Sequence, residues 1–151
     1  MPQREPIRVF VTHGFEDSDD YLRVFEYLES ARNFFYRNCS APDQRPASGS
    51  QEALREQLRA QITPAEVVIA LTSMYPAQQD LLLFELNYAK ASDKPVLLLP
   101  NFGREALALK AFQGLVDETV AWDERALIDA VRRQARHEET TRWDTIEFKL
   151  D

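Results

Sequence analysis

Short apolar runs alternate along the chain with longer segments in which apolar residues recur every three or four positions. The short runs are rich in β-branched residues and are typical of buried strands, whereas the longer segments are typical of amphipathic helices. This alternation predicts a parallel sheet covered by helices, because parallel strands need crossover connections. Five strands are predicted, over residues 7–12, 33–40, 66–72, 95–100 and 118–122.

The predicted helices begin at residues that favour helix N-termini. A Ser- and Asp-rich stretch, 16–20, precedes the helical segment 21–28, and Ser50 precedes the segment 51–61. Such side chains bind the free N–H groups of a first helical turn, and acids there complement the helix dipole. We therefore interpret the acids of 16–20 as capping groups rather than metal ligands. Further helices are predicted over 79–92, near 104–112 and over 123–136, the last with Asp123 as its cap.

The strands and helices together predict an α/β, flavodoxin-like three-layer sandwich with a five-stranded parallel sheet in the order 2-1-3-4-5. Residues 66–72 form the most continuous apolar run and are predicted at the sheet centre, whereas the less hydrophobic residues 33–40 are predicted near an edge. In this order the ligand crevice lies beyond the carboxyl ends of strands one and three. The loops 12–17 and 73–79 are therefore expected to form the site.

Length and composition indicate one globular domain. The chain has 151 residues, within the usual size of a single domain, and its 44% hydrophobic content is that of an ordinary folded protein. We predict an α/β domain over 1–136 and a C-terminal extension over 137–151. The extension places alternate apolar residues on one face of an extended segment, which suits an edge strand or an oligomer contact.

Charge and residue usage narrow the partners that can be expected. The net charge of −7, with dispersed basic residues, predicts no nucleic-acid partner. No apolar run is long enough for a membrane span, and the polar start has no signal-peptide core, so a cytoplasmic protein without membrane contact is expected. The single cysteine, Cys39, and two histidines far apart in sequence predict neither a disulfide nor a metal site.

Glu85 is the most unusual residue, because it interrupts the otherwise apolar run 81–89. In a helix its neighbours one turn away are Leu81, Leu82, Tyr88 and Ala89, and none of them is a cation. Such a carboxylate either reaches solvent at an edge or serves a site. Its position just beyond the predicted third strand favours a site, where burial raises its pKa.

Several common sites on such sheets do not fit the sequence. Gly14 alone cannot supply a phosphate-binding loop, and the dinucleotide fingerprint is absent. The aspartate and lysine of a phosphoacceptor receiver are missing after strands three and five, and no catalytic triad is visible. A lone carboxylate beside a crevice lined by Phe15 and Tyr75 instead suits glycosidic chemistry, in which it can stabilise an oxocarbenium-like state.

Five blocks of the sequence resemble the bacterial TIR-like family, and within it most nearly the TIR subunit of Thoeris antiphage systems. The resemblance extends from about Ile7 to Arg132 and is marked by these blocks in the family's order: 8–17, 31–34, 38–42, 67–75 and 84–89. It implies a TIR-like fold and an enzyme of the NAD nucleosidase or ADP-ribosyl cyclase type, which releases nicotinamide and makes a cyclic ADP-ribose-type second messenger.

The same resemblance implies roles for individual residues and partners. Glu85 matches the catalytic glutamate of the family. NAD is implied as a substrate, with no other cofactor and no metal. A messenger-sensing effector protein, a phage-derived trigger and a homo-oligomeric active form are expected as partners. Nucleotide contacts are expected from His13, Phe15, Asp17, Ser73 and Tyr75.

Two other functions remain open at this stage. A non-catalytic TIR-like adaptor that acts by assembly is suggested by Leu81, where many members of the family have Trp, and by the amphipathic extension. A nucleoside deoxyribosyltransferase-like enzyme shares the sheet and a glutamate. Loss of NAD, base exchange with deoxynucleosides, or neither of them would separate the three.

Overall fold

A computed structural model describes residues 5–100 and 114–136 of the protein. Strands and helices alternate from residue 7 to residue 99, as the sequence predicts, and a fifth strand and a further helix are described after residue 114. A short 3-10 helix, Thr72–Met74, joins the third strand to the third helix. The strands are β1 (Ile7–Val11), β2 (Tyr36–Asn38), β3 (Val67–Leu71), β4 (Val96–Leu99) and β5 (Glu118–Thr119), and the helices are α1 (Asp19–Leu28), α2 (Gln51–Ile62), α3 (Tyr75–Ala91) and α4 (Glu124–Arg136).

All five strands are parallel and form one sheet in the order β2-β1-β3-β4-β5, which confirms the flavodoxin-like prediction. The connection from β1 to β2 runs one way and the later connections run the other way, so right-handed crossovers place α1 on one face and α2 and α3 on the other. Helix α1 packs against α4, and α2 packs against α3. Every residue of β3 and β4 is buried, so the core lies on both faces of the sheet centre.

The predicted helix caps are present. Ser50 accepts a hydrogen bond from the backbone N–H three residues on, at 3.1 Å, and Asp123 does the same at 2.8 Å. At the start of α1 the cap is Ser18, again through the N–H three residues on, and Asp19 and Asp20 occupy the first turn. The acid-rich stretch therefore begins a helix, as expected, with a serine as the direct cap.

Both edge strands are shorter than predicted. Strand two was expected over 33–40 but pairs with β1 only over Tyr36–Asn38. The Asn38 side chain accepts the N–H of Ser40 at 2.8 Å, and this local hydrogen bond ends the strand. The fifth strand likewise stops at Thr119 instead of Trp122. Residue propensity overestimated the length of both strands, because an edge strand has only one neighbouring strand to pair with.

Helix α3 begins at Tyr75 rather than at residue 79, so the prediction of a turn over 73–78 was wrong in part. Pro76 lies in the first turn, where its missing N–H costs no helical hydrogen bond. The backbone of Gln78 then leaves helical geometry, with φ −130° and ψ 42°. The regular part of α3 that carries Glu85 consequently starts close to the predicted boundary.

Two predicted segments, the helix near 104–112 and the extension 137–151, lie outside the described residues. The boundary at residue 136 stays a prediction. Within residues 5–100 and 114–136, no helix is long and apolar enough to cross a membrane.

Candidate functional site

The residues that follow β1 and β3 meet at the carboxyl edge of the sheet. The two strands are direct neighbours, and Thr12 joins their ends: its N–H donates to Ile69 O at 3.0 Å, and its Oγ1 accepts the N–H of Leu71 at 3.0 Å. This places residues 12–18, which we call the switch-point loop, directly beside the start of α3. The two segments that the strand order predicts beside the crevice, after β1 and after β3, are therefore neighbours in the structure.

Glu85 lies beneath the switch-point loop and has no exposed surface. Its Oε1 accepts the backbone N–H of His13 at 3.0 Å, whereas its Oε2 has no hydrogen-bond partner among the described residues. Burial raises the pKa of the Glu85 carboxyl well above its usual range, and the single N–H bond from His13 lowers it to a smaller extent. The alternative that Glu85 reaches solvent at an edge is wrong. The side chain is a buried acid with one free oxygen.

His13 holds the switch-point loop in shape. Its Nδ1 accepts the N–H of Phe15 at 3.0 Å, so the ring proton must lie on Nε2, which donates to Gln61 Oε1 at 2.8 Å. The ring is nearly fully buried, and burial lowers the pKa of His13, which favours this neutral tautomer. Both ring nitrogens are therefore occupied by protein groups in this structure.

Phe15 adopts a backbone conformation that aromatic residues rarely take. Its φ is +68°, in the left-handed region, where a Cβ is crowded. The side chain is nevertheless buried, with its ring edge-on to His13 at a centroid distance of 5.1 Å. The guanidinium carbon of Arg45, from the loop after β2, lies 5.9 Å from the Phe15 ring centroid. Strained backbone of this kind is often found at ligand sites and switches.

Gln78 of α3 also contacts the switch-point loop. Its Nε2 donates to Gly14 O at 3.3 Å, and a Cβ at Gly14 would collide with the Gln78 side-chain amide. The close approach of the Gln78 amide to Gly14 therefore depends on the absence of a Cβ there. The irregular backbone of α3 thus coincides with the residue whose side chain contacts the loop.

The structure gathers some of the predicted site residues and separates others. His13, Phe15 and Glu85 form one buried cluster, whereas Asp17 is exposed and Ser73 is half-buried. Tyr75 begins α3, and its side chain lies outside what the structure describes. Their roles toward a ligand stay predictions. Across the described parts of the chain, no group of three or more His, Cys, Asp or Glu side chains is placed to hold a metal ion.

Sequence reasoning missed Gln61, which is buried and contacts the cluster through His13. A signal was present in the sequence. Leu54, Leu58 and Ile62 form the apolar face of α2, and Gln61 lies three residues after Leu58 on that same face. A polar residue at a core position of an amphipathic helix usually has a specific partner.

An open groove of about 510 Å³ lies at the opposite edge of the sheet, at the amino ends of the strands. Four of its charged side chains form ion pairs: Arg8 with Glu66 at 3.2 Å and Lys90 with Asp117 at 2.9 Å. Neighbouring cations and acids that satisfy each other are typical of surface ion pairs. The groove lies far from the predicted ligand crevice and contributes nothing to it.

The comparison with known families agrees with this geometry. A family model described as the Thoeris protein ThsB, TIR-like domain, matches residues 10–103. The match includes the switch-point loop, β3 and the part of α3 that carries Glu85. A search of curated proteins gives no match. Since the family model matches well over half of the chain, the protein belongs to the TIR-like domain family of the Thoeris protein ThsB.

Proposed function

We propose that the protein is an NAD-cleaving enzyme, which releases nicotinamide and makes a cyclic ADP-ribose-type second messenger in bacterial antiphage defence. The observation that carries the proposal is the Glu85 carboxyl, which is fully buried beneath the switch-point loop and whose Oε2 has no hydrogen-bond partner within residues 5–100 and 114–136. A buried acid that lacks a partner costs stability, and such costs are usually retained for a site. Its position at the crevice of a TIR-like sheet makes a nucleotide the expected ligand.

The chemistry follows from the charge of the substrate. In NAD the bond between ribose C1′ and the nicotinamide nitrogen breaks with its electron pair leaving on nicotinamide, which loses its positive charge. C1′ is left as an oxocarbenium-like centre, which an ionised Glu85 would stabilise. Attack on C1′ by a nucleophile within the ADP-ribose part closes a ring, whereas attack by water gives ADP-ribose and a proton.

Ionisation of Glu85 is coupled to binding in this proposal. Burial favours the protonated carboxyl in the free protein, because it raises the Glu85 pKa. The cationic nicotinamide ring beside it favours the charged form and lowers that pKa. Because Glu85 has no exposed surface, NAD can reach it only after covering residues move, and the switch-point loop, whose His13 N–H binds Glu85, is the segment that we expect to move. A phage-derived trigger and homo-oligomer formation are natural causes of such a movement, and an effector protein would sense the product.

The experiment compares two variants on the same helix. Purified protein is incubated with NAD, with and without lysate from phage-infected cells, while nicotinamide release is followed and products are identified by mass spectrometry. Glu85→Gln should lower turnover by roughly 100-fold to 1,000-fold, the usual cost of losing one transition-state charge contact. Asp80→Asn, which alters an exposed acid of α3, should leave turnover unchanged. Full turnover in Glu85→Gln would contradict the assignment.

A second candidate is a TIR-like adaptor that acts by assembly. It is favoured by the complete burial of Glu85 and by the aliphatic Leu81 one turn before it. In that case Glu85 is a structural residue. No NAD would be consumed with or without trigger, while light scattering would report a change in assembly when a TIR partner is added. Cleavage of NAD by the strictly monomeric protein would exclude this alternative.

A further inference from the structure

Gln61 uses the full hydrogen-bonding capacity of its side-chain amide. Its Oε1 accepts from His13 Nε2 and from the N–H of Ala41, both at 2.8 Å. Its Nε2 donates to Ala41 O at 3.2 Å and to Gln57 Oε1 at 3.0 Å. The amide orientation is fixed by these partners, since neither end could be exchanged without placing donor against donor. Gln61 is therefore a rigid point that joins α2 to the loops after β1 and β2.

A continuous path of short contacts connects this point to the buried acid. Gln61 fixes the His13 ring through Nε2, and the ring fixes the turn of the switch-point loop because Nδ1 binds the N–H of Phe15. That turn directs the backbone N–H of His13 at Glu85 Oε1, at 3.0 Å. The only hydrogen bond that Glu85 receives from the described residues therefore depends on the orientation of the His13 ring.

We propose that Gln61 is a positioning residue, which acts through His13 to hold a backbone N–H on one oxygen of Glu85 and leave the other oxygen free for a ribosyl cation. The part that concerns the ribosyl cation rests on the proposed NAD cleavage. The hydrogen-bond path itself does not, because it is a property of the protein without substrate.

The charged groups around the path are few in the described residues. Asp17 and Asp43 act on the His13 ring and raise its pKa, to a smaller extent than burial lowers it. Burial and the His13 N–H govern the Glu85 carboxyl. Loss of that N–H removes the one contact that favours the ionised form, so a loosened His13 should raise the Glu85 pKa further.

The test uses matched substitutions on one helix. Gln61→Met keeps the length of the side chain but makes no hydrogen bond to His13, and Gln61→Asn shortens the amide by one methylene, which provides a second variant if the first fails to fold. Gln57→Met is the control, because it removes one partner of Gln61 and leaves the bond to His13 in place. Urea unfolding establishes that each protein is folded.

Two readouts are then measured. The first is the infrared carbonyl band of Glu85 as a function of pH, without NAD, isolated as the difference from the same variant carrying Glu85→Gln. The second is the pH profile of NAD cleavage, with kcat and KM separated. The Gln61 variants should raise the Glu85 titration midpoint and lower kcat by roughly 10-fold to 100-fold, the size expected for a misplaced reacting group, with a smaller change in KM.

The outcomes separate the positioning role from the function. Folded Gln61 variants with an unchanged Glu85 titration would overturn the inference, as would a Gln57→Met variant that shifts it equally. A merely structural role would lower stability and leave the titration in place. If the unmodified protein cleaves no NAD under any condition, the proposed function fails, while the infrared titration still decides whether Gln61 controls Glu85.

Discussion

Two glutamates near the ends of β3 show how differently one residue type can be used in a single fold. Glu66 precedes the strand, and both of its oxygens bind arginines: Oε1 contacts Arg136 at 2.5 Å, and Oε2 contacts Arg136 at 3.0 Å and Arg8 at 3.2 Å. Glu85 follows the strand on α3, and in the described part of the chain one of its oxygens accepts an N–H bond and the other has no partner.

The electrostatic consequences are opposite. The Arg136 guanidinium, with the N–H and guanidinium of Arg8, lowers the pKa of Glu66 despite partial burial. Burial raises the pKa of Glu85. The two glutamates lie at opposite ends of the strands. At the amino ends Glu66 is paired with arginines, whereas at the carboxyl ends Glu85 has no cationic partner among the described residues. An acid kept without a counter-ion is the more informative of the two about function.

The largest expected effect on stability is the pH dependence caused by Glu85. Its folded-state pKa exceeds its unfolded value, so its contribution is fully present below the unfolded pKa and is lost as pH rises through the folded pKa. Glu85→Gln cannot titrate and should gain stability relative to the unmodified protein as pH rises. Each unit of pKa separation is worth about 1.4 kcal/mol.

Urea unfolding of both proteins, from acidic to neutral pH, measures this difference. A constant difference in the free energy of unfolding across the range would show that Glu85 has an ordinary pKa when folded, and the contrast with Glu66 would disappear.

Glu66→Gln should produce a smaller effect of opposite slope. The lowered folded pKa of Glu66 stabilises the protein above the unfolded pKa, and this contribution is lost as pH falls through the folded pKa. We expect a loss of about 1–2 kcal/mol near neutral pH, because the carboxylate binds two arginines that are themselves partly exposed.

The control for Glu66 is Glu56→Gln. Glu56 also pairs with an arginine but is largely exposed, so its replacement should cost less than about 0.5 kcal/mol. Equal losses for the two variants in urea unfolding would mean that burial adds nothing to the Glu66 pairing.

The smallest effect concerns the loop that covers Glu85. Gly14→Ala should displace the flexible Gln78 amide and break its bond to Gly14 O, at a cost below about 1 kcal/mol. Hydrogen exchange of the backbone N–H groups of residues 13–15 should become faster, and Gln78→Ala should reproduce the change. Unaltered exchange in both variants would mean that Gln78 does not hold the loop closed.

The layer architecture could be predicted because it depends on patterns that extend over whole elements. The apolar run at β3 and the alternation of strands and helices determine the order of the sheet, and Ser50 and Asp123 mark helix starts through local chemistry. The predicted bounds of the edge strands and the predicted start of α3 were less accurate. They depend on single contacts, such as Asn38 on the N–H of Ser40, that hydrophobic periodicity does not contain.

For the candidate site, the sequence indicated the acid but not its surroundings. Glu85 stood out because a charge in an apolar run conflicts with its neighbours. The bond between His13 Nε2 and Gln61 joins residues 48 positions apart, and that between Gln78 and Gly14 joins residues 64 apart. Such pairings depend on how α2 and α3 pack over the sheet. A glutamine in a helix also gives little reason to expect a buried role.

The edges of the sheet bear on how the protein behaves at high concentration. An open sheet ends in unpaired backbone groups, which can recruit strands from other molecules and lead to aggregates. Here β2 has three residues with exposed Arg37 at its middle, and β5 has two, beginning with Glu118. Short, charged edges offer a poor template for added strands. We therefore expect these two strands to contribute little to sheet-mediated aggregation of the protein.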